Sequence, residues 1–188
     1  MRISIKGLLK VVCGAAVVVV AGSQSGMAQT TDTQRFTVTV PSTLSITGPA
    51  DQTLIHDTTN SNQVFSPGAL PANHWAVQCN SNAGATVNLT TSTPFTHTLN
   101  GTYKRDAKLD LAVSSSDNDG GGSPVWGVTT PSDLTNFAGA DDIASVQATS
   151  AVAGKATLAL TVTFITNTFS TLLQGNYQID VVGTIAAN

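Results

Sequence analysis

Apolar residues recur at every second position in much of this chain, and this spacing constrains the fold more than any other feature of the sequence. A β-strand places successive side chains on opposite faces, so such a run has one apolar and one polar face. No segment shows the 3.6-residue spacing of an amphipathic helix over a convincing length. The alternation marks six segments: 36–46, Trp75–Cys79, 87–89, 109–113, 155–165 and 177–185.

The connections between these segments are rich in residues that form turns. Asn100-Gly101 lies between the runs 95–99 and 102–104, and this dipeptide favours the two-residue turn of a β-hairpin. Glutamate is absent, and Lys, Arg and Met are scarce, so the chain has few good helix formers. We therefore predict an all-β chain that forms a single antiparallel β-sandwich, Ig-like or jelly-roll-like, of about 8–10 strands.

The N-terminus has the three parts of a secretion signal: a basic start, an apolar run, and a short stretch of polar and small residues. We place the cleavage after Ala28, with Ala21 as the second candidate. Residues 1–28 are then the signal peptide and 29–188 the β-sandwich domain. The apolar run is about half the ~20 residues that span a membrane, and no later segment is longer. We expect a secreted or cell-surface protein, in the periplasm or on the outer surface, without a membrane span after cleavage.

Removal of the signal changes the charge and the cysteine content of the chain. Three of the eight basic residues are lost, and the five that remain face 11 aspartates, which gives a net charge of −6. This acidity argues against nucleic acid and anionic membranes as partners. A single cysteine remains, so no internal disulfide forms. Because Cys79 shares one strand face with Trp75 and Val77, we predict a buried, inert thiol.

The residue types that carry catalysis are few and scattered. The three histidines are His56, His74 and His97, and the G-x-S-x-G turn of many serine hydrolases is absent. His74 and Cys79 are separated by an odd number of positions, so an extended strand places them on opposite faces. We predict no catalytic residues, no bound cofactor and no enzymatic activity.

Two features suggest binding instead of catalysis. Asp117 and Asp119, with the glycines that follow, resemble a loop of oxygen ligands for calcium, although the EF-hand spacing fails. A solvated turn is the alternative interpretation of this loop. Trp126 follows the same glycine-rich loop and is a candidate for stacking on a sugar ring, more so than Trp75, which lies in an inward alternation.

The last alternating segment, Tyr177-Gln-Ile-Asp-Val-Val-Gly-Thr-Ile185, resembles the distal motif of bacterial WxL surface domains, Y-x-x-x-L-T-W-T-L. Tyr177 and Thr184 match the motif, and Gly183 stands where the family has tryptophan. Upstream, Trp75-Ala-Val77 is similar to the earlier W-x-L of that family. The ending is also similar to that of pilin-like bacterial sandwiches. The resemblance implies a non-catalytic envelope protein, bound to cell-wall polymer or assembled with copies of itself.

Together these features predict an exported, non-catalytic structural or adhesive subunit of the cell surface, pilin-like or envelope-associated. Its expected partners are other envelope proteins or copies of itself. The alternative is a cell-wall or carbohydrate-binding module, with cell-wall polysaccharide as its ligand. Assembly by strand addition, in which a chain end completes a neighbour's sheet edge, suits the segment 33–40. In that case Phe36, Val38 and Val40 form the apolar face of the assembly strand.

Overall fold

A computed structural model of the chain describes residues 31–118 and 125–188. Val40–Asn188 form one compact unit, and residues 31–39 belong to a separate N-terminal unit. Strands make up most of the regular structure, and the helical elements in the described residues are three single 3-10 turns. In this part of the chain no helix is long and apolar enough to cross a membrane.

Thirteen strands lie in the described residues, and wherever two of them are hydrogen-bonded to each other they run antiparallel. They are β1 (Leu44–Thr47), β2 (Gln63–Phe65), β3 (Trp75–Cys79), β4 (Ala85–Thr91), β5 (Phe95–His97), β6 (Lys104–Arg105), β7 (Ala107–Asp117), β8 (Trp126–Thr130), β9 (Ser132–Leu134), β10 (Ala144–Ser150), β11 (Gly154–Phe164), β12 (Tyr177–Gln178) and β13 (Val182–Ala187).

The first sheet has the order β1-β3-β11-β7-β9. Its centre is the long pair β7 and β11, whose register runs from Lys155 opposite Asp117 to Phe164 opposite Ala107. On its other side β11 pairs first with β3 and, nearer its end, with β2. The two long strands are therefore the centre of this sheet, and β1 and β2 lie on the β3 side of it.

The second sheet has the order β13-β4-β10-β8, and a small third sheet, β12-β5-β6, continues it. Tyr177 lies opposite His97 and Val182 lies opposite Thr90. Between these pairs the chain advances five residues on one side and seven on the other, as in a β-bulge. The β12–β13 and β4–β5 segments thus form one interrupted ladder, with β12 and β13 outermost.

The inward faces of the sheets meet in two apolar clusters. In β4 and β10 every second residue is buried, so each strand contributes one whole face to the core. The main cluster includes Leu89, Leu109 and Leu158, which are fully buried. A smaller cluster at one end contains Phe95, Ala107 and Phe164. This arrangement confirms the all-β, antiparallel prediction and is consistent with a β-sandwich.

The sequence predicted most of the long strands, but it was wrong about two segments. The run that contains Phe36, Val38 and Val40 forms no strand, because residues 31–43 pair with no other strand in the described chain. The predicted last strand is divided into β12 and β13. The hairpin β5–β6 is confirmed, but its turn bond joins Tyr103 N to Asn100 O, so Gly101 and Thr102 are the central residues.

Candidate functional site

The two edge strands β12 and β13 pair on their inner side with β5 and β4, and no described strand pairs with their outer side. Exposure alternates from residue 177 to residue 186, so the inward face keeps a period of two through the bulge. Tyr177, Ile179, Val181 and Ile185 are the apolar residues of that face, and all four are only half-buried. In the described chain the outer edge therefore lacks a paired strand along β12 and β13, and at β13 the neighbouring strand β1 lies close to it.

At the β13 end of this edge, an indole ring lies over a glycine. A Cβ atom at Gly183 would overlap Cζ3 of Trp75 and lie 2.8 Å from Cδ1 of Ile46. A Cβ at Gly48 would lie 3.2 Å from Cη2 and Cζ3 of the same ring. Because Ile46 belongs to β1, these contacts join the margin of the first sheet to the edge of the second. Trp75 and Ile46 are half-buried, so this part of the core is partly open.

At the β12 end of the edge, the surface opens into a pocket of about 420 Å³. Its floor and walls include Phe65, Phe95, Phe164 and Tyr177, and residues 52–56 border it. Its other lining residues include glutamines and an asparagine, and no Asp, Glu, Lys or Arg lines it. Ligand pockets commonly have this volume and this mixture of aromatic surface and a few polar groups. The pocket thus combines aromatic walls with amide side chains at its border.

The rings around the pocket hold one another in place. Phe65 and Phe95 are stacked with centroids 6.0 Å apart, and Phe95 meets Phe164 edge-on at 5.1 Å. Tyr177 meets Phe164 edge-on at 5.5 Å. Edge-to-face and offset pairs at these distances are the favourable arrangements of aromatic rings. The pocket is therefore preformed by side chains that restrain each other.

One wall of the pocket is anchored by His56. Its Nε2 donates to Thr166 Oγ1 at 3.0 Å, since that hydroxyl itself donates to Ser61 O. Its Nδ1 accepts the backbone N–H of Thr58 at 3.0 Å. In this network Nε2 is the donor and Nδ1 the acceptor of the ring. Both ring nitrogens of His56 are thus hydrogen-bonded within the chain, and the residue holds the pocket wall in place.

The neighbouring turn is organised by Asp57. Its Oδ1 accepts the backbone N–H of Thr59 at 2.9 Å and the hydroxyl of Thr59 at 2.8 Å. The backbone bond first, and then the hydroxyl bond, lower the pKa of Asp57 below its usual 3.8. The carboxylate form therefore stabilises the turn that follows the pocket wall.

The predicted assembly strand lies in the N-terminal unit except for Val40, which is the first residue of the second unit. Phe36, Val38 and Val40 are 83%, 88% and 75% exposed, and the residues between them are exposed as well. Isolated apolar side chains on a surface are ordinary, but here three large ones share one alternation over five positions. The segment 33–40 is thus an apolar strand sequence that pairs with no strand in the described chain.

The other predicted binding residues lie elsewhere. Trp126 is 4% exposed and belongs to the main core, so it offers no ring face to a sugar in this structure. Trp75 is half-buried, so it is more exposed than Trp126, whereas the sequence predicted Trp126 as the more exposed ring. Asp117 ends β7, and its Oδ2 lies 3.5 Å from Nζ of Lys155. Asp119 and the rest of the predicted calcium loop lie outside the described residues.

The remaining reactive side chains are buried, and each lies within hydrogen-bonding distance of another group of the chain. Cys79 is buried, as predicted, 3.5 Å from Ser150 Oγ. His74 is buried, and its Nδ1 lies 2.8 Å from Leu70 O. His97 Nδ1 accepts two backbone N–H groups of the hairpin loop, and its Nε2 lies 3.1 Å from Gln174 O. In the part of the chain that the structure describes, no three His, Cys or Asp side chains are grouped closely enough to hold a metal ion.

The pocket was not predicted from the sequence. Its residues come from five separate stretches of chain, and only their common aromatic character gave a signal. Comparison with known proteins adds no identification, since no family model, no curated protein and no solved structure matches the chain.

Proposed function

We propose that this chain is an exported, non-catalytic structural subunit of the cell surface that assembles with copies of itself by strand addition. In this proposal the segment 33–40 of one copy pairs with the outer edge of the next copy at β12 and the residues that lead to β13. The observation that carries it is the exposure of Phe36, Val38 and Val40, which form one apolar strand face without a partner strand. The secretion signal predicted for residues 1–28 supports the location.

The energetics favour a partner for this segment. Burying a Val or Phe side chain contributes about 1.5–3 kcal/mol relative to leaving it exposed. Three such residues on one face therefore provide a substantial driving force for association. Because the exposed face is confined to one alternation, a single added strand would cover it.

In the described chain the β12–β13 edge has no paired strand on its outer side, just as the segment 33–40 has no partner strand. Unpaired edge strands are templates for strand addition, and natural proteins usually protect them with charges, proline or a covering loop. From residue 177 to residue 187 this edge carries no proline, and its one charged residue is Asp180, which lies on the exposed face. Its inward residues Val181 and Ile185 are half-buried. An added strand would supply the missing backbone hydrogen bonds beside β12 and cover Val181.

The proposal is tested by the mass of the exported full chain, measured by light scattering over a range of concentrations. The variant F36D/V38D charges the apolar face of the segment, and T37D/T39D charges its other face as a matched control. We expect oligomers for the wild type and for T37D/T39D, and monomers for F36D/V38D. A monomeric wild type, or oligomers of F36D/V38D equal to those of the wild type, would overturn the proposal.

A further inference from the structure

We infer that the aromatic pocket is the receptor for the ring of Phe36 from a second copy of the chain. This inference rests on the proposed assembly by strand addition, and it adds the direction, the register and the anchoring residue. The pocket lies beside β12, at the end of the same free edge that the added strand would occupy. Edge and pocket thus form one continuous acceptor surface.

The spacing of apolar residues matches on the two sides. Along the edge, Tyr177, Ile179 and Val181 face inward at every second position. Along the segment, Phe36, Val38 and Val40 alternate in the same way, and paired strands advance by the same 3.3–3.4 Å per residue. A strand that places Phe36 beside Tyr177 therefore also brings Val40 beside Val181.

With Phe36 in the pocket beside Tyr177, only a parallel strand keeps Val38 and Val40 on the edge. In an antiparallel strand with Phe36 beside Tyr177, Val38 and Val40 would extend past Gly175 and Leu173, where the edge has ended. The parallel strand instead continues from the pocket along the edge towards β13. The sequence order of the segment therefore sets the direction of addition.

The chemistry of the pocket fits a phenylalanine ring. Its aromatic residues Phe65, Phe95, Phe164 and Tyr177 already form edge-to-face and stacked pairs with one another. A further ring would extend this network, since such pairs contribute beyond the area that they bury. The lining carries no Asp, Glu, Lys or Arg, so an uncharged side chain enters without leaving a charge unpaired. Phe36 is the one exposed phenylalanine ring of the segment.

A neutral sugar ring is the competing occupant, because amide side chains border the pocket and aromatic faces line it. Two observations favour Phe36. Phe36 is present on every copy of the chain. It lies four positions before Val40, just as Tyr177 of the pocket lies four positions before Val181. A free sugar would leave both the edge and the exposed segment uncovered.

The test uses the full chain with the photoreactive residue p-benzoylphenylalanine at position 36, mixed with ¹⁵N-labelled wild-type chain and irradiated. The matched control carries the same residue at position 37, on the opposite face of the segment. We expect mass spectrometry to find position 36 joined to pocket residues of the labelled copy, among them Leu54, Phe65 and Tyr177. Position 37 should give no product with the pocket.

The outcomes separate this inference from the proposed function. Oligomers in which position 36 reacts away from the pocket overturn the pocket assignment and leave strand addition standing. Products confined to one copy, or no oligomers at all, overturn both. A further arm adds glucose or N-acetylglucosamine to the wild-type chain and follows the pocket by NMR. Saturable sugar binding at the pocket, without a position-36 product, assigns it to a glycan and overturns the inference.

Discussion

The indole ring of Trp75 occupies the space that a side chain at position 183 would fill, so Trp75 and Gly183 together join β3 to the free edge strand β13. Gly48 also lies close to this ring, since a Cβ there would lie 3.2 Å from it. The WxL surface motif that the last segment resembles has a tryptophan at the position of Gly183. Here the missing side chain instead admits the ring of Trp75. The glycine is therefore a requirement of the packing.

We predict that G183A destabilises the domain. The added methyl overlaps Trp75 and crowds Ile46, and overpacking of this kind costs about 1–3 kcal/mol. Urea denaturation measures the loss. The control is G127A, because a Cβ at Gly127 meets no atom within 4 Å. Equal midpoints for G183A and the wild type would contradict the packing described for Trp75.

The alternation of apolar residues was enough to predict the strands with large inward side chains. In β7 and β11 the inward residues include Leu109, Leu111 and Leu158, which the pattern identifies at once. Strand β10 has the same strict alternation of burial but was not predicted. Its inward residues are small or polar, namely Ala144, Val146, Ala148 and Ser150. Such a face is hardly distinguishable from a polar loop until the strand across from it is known.

Phe36 and the pocket show two further limits of the sequence pattern. Alternation reports that a segment has an apolar face, but not that a partner strand is available to it, so 36–40 was predicted as a strand and forms none. The pocket brings Phe65, Phe95, Phe164 and Tyr177 together from positions up to 112 residues apart. Which strands become neighbours depends on the sheet order, and periodicity carries no information about that order.

Deletion of residues 33–40 should leave the fold of the remaining unit intact. The deleted side chains are exposed, and surface changes away from packed features usually alter the free energy of unfolding by less than about 0.5 kcal/mol. The measurement is urea denaturation at a concentration where the wild type is monomeric. A loss of several kcal/mol would mean that the segment stabilises its own copy, which contradicts its role as a donor strand.

The turn at Asp57 gives a pH dependence of known sign. Because the pKa of Asp57 is lower in the folded chain than its usual 3.8, its stabilisation is complete above that value. The stabilisation is lost as the pH falls below 3.8 and through the folded value. We expect the amide resonance of Thr59 to follow this titration, since that N–H donates to the carboxylate. The variant D57N should abolish the titration, and a Thr59 shift that persists in D57N would assign it to another group.

The parallel register predicts which positions of two copies meet. With Phe36 beside Tyr177, the outward residues Thr37 and Gln178 lie side by side. A mixture of the single variants T37C and Q178C should therefore form a disulfide-linked heterodimer under mild oxidation, seen on a non-reducing gel. The native Cys79 is buried and does not compete.

The matched control is a mixture of T37C with T184C. Thr184 is also exposed on the same edge, but it lies six residues further along, a distance of about 20 Å in an extended strand. Disulfide geometry requires Cα atoms within about 7 Å, so this pair should not cross-link. A T37C–T184C product in place of the T37C–Q178C product would mean that the added strand binds in another register, with Phe36 away from the pocket.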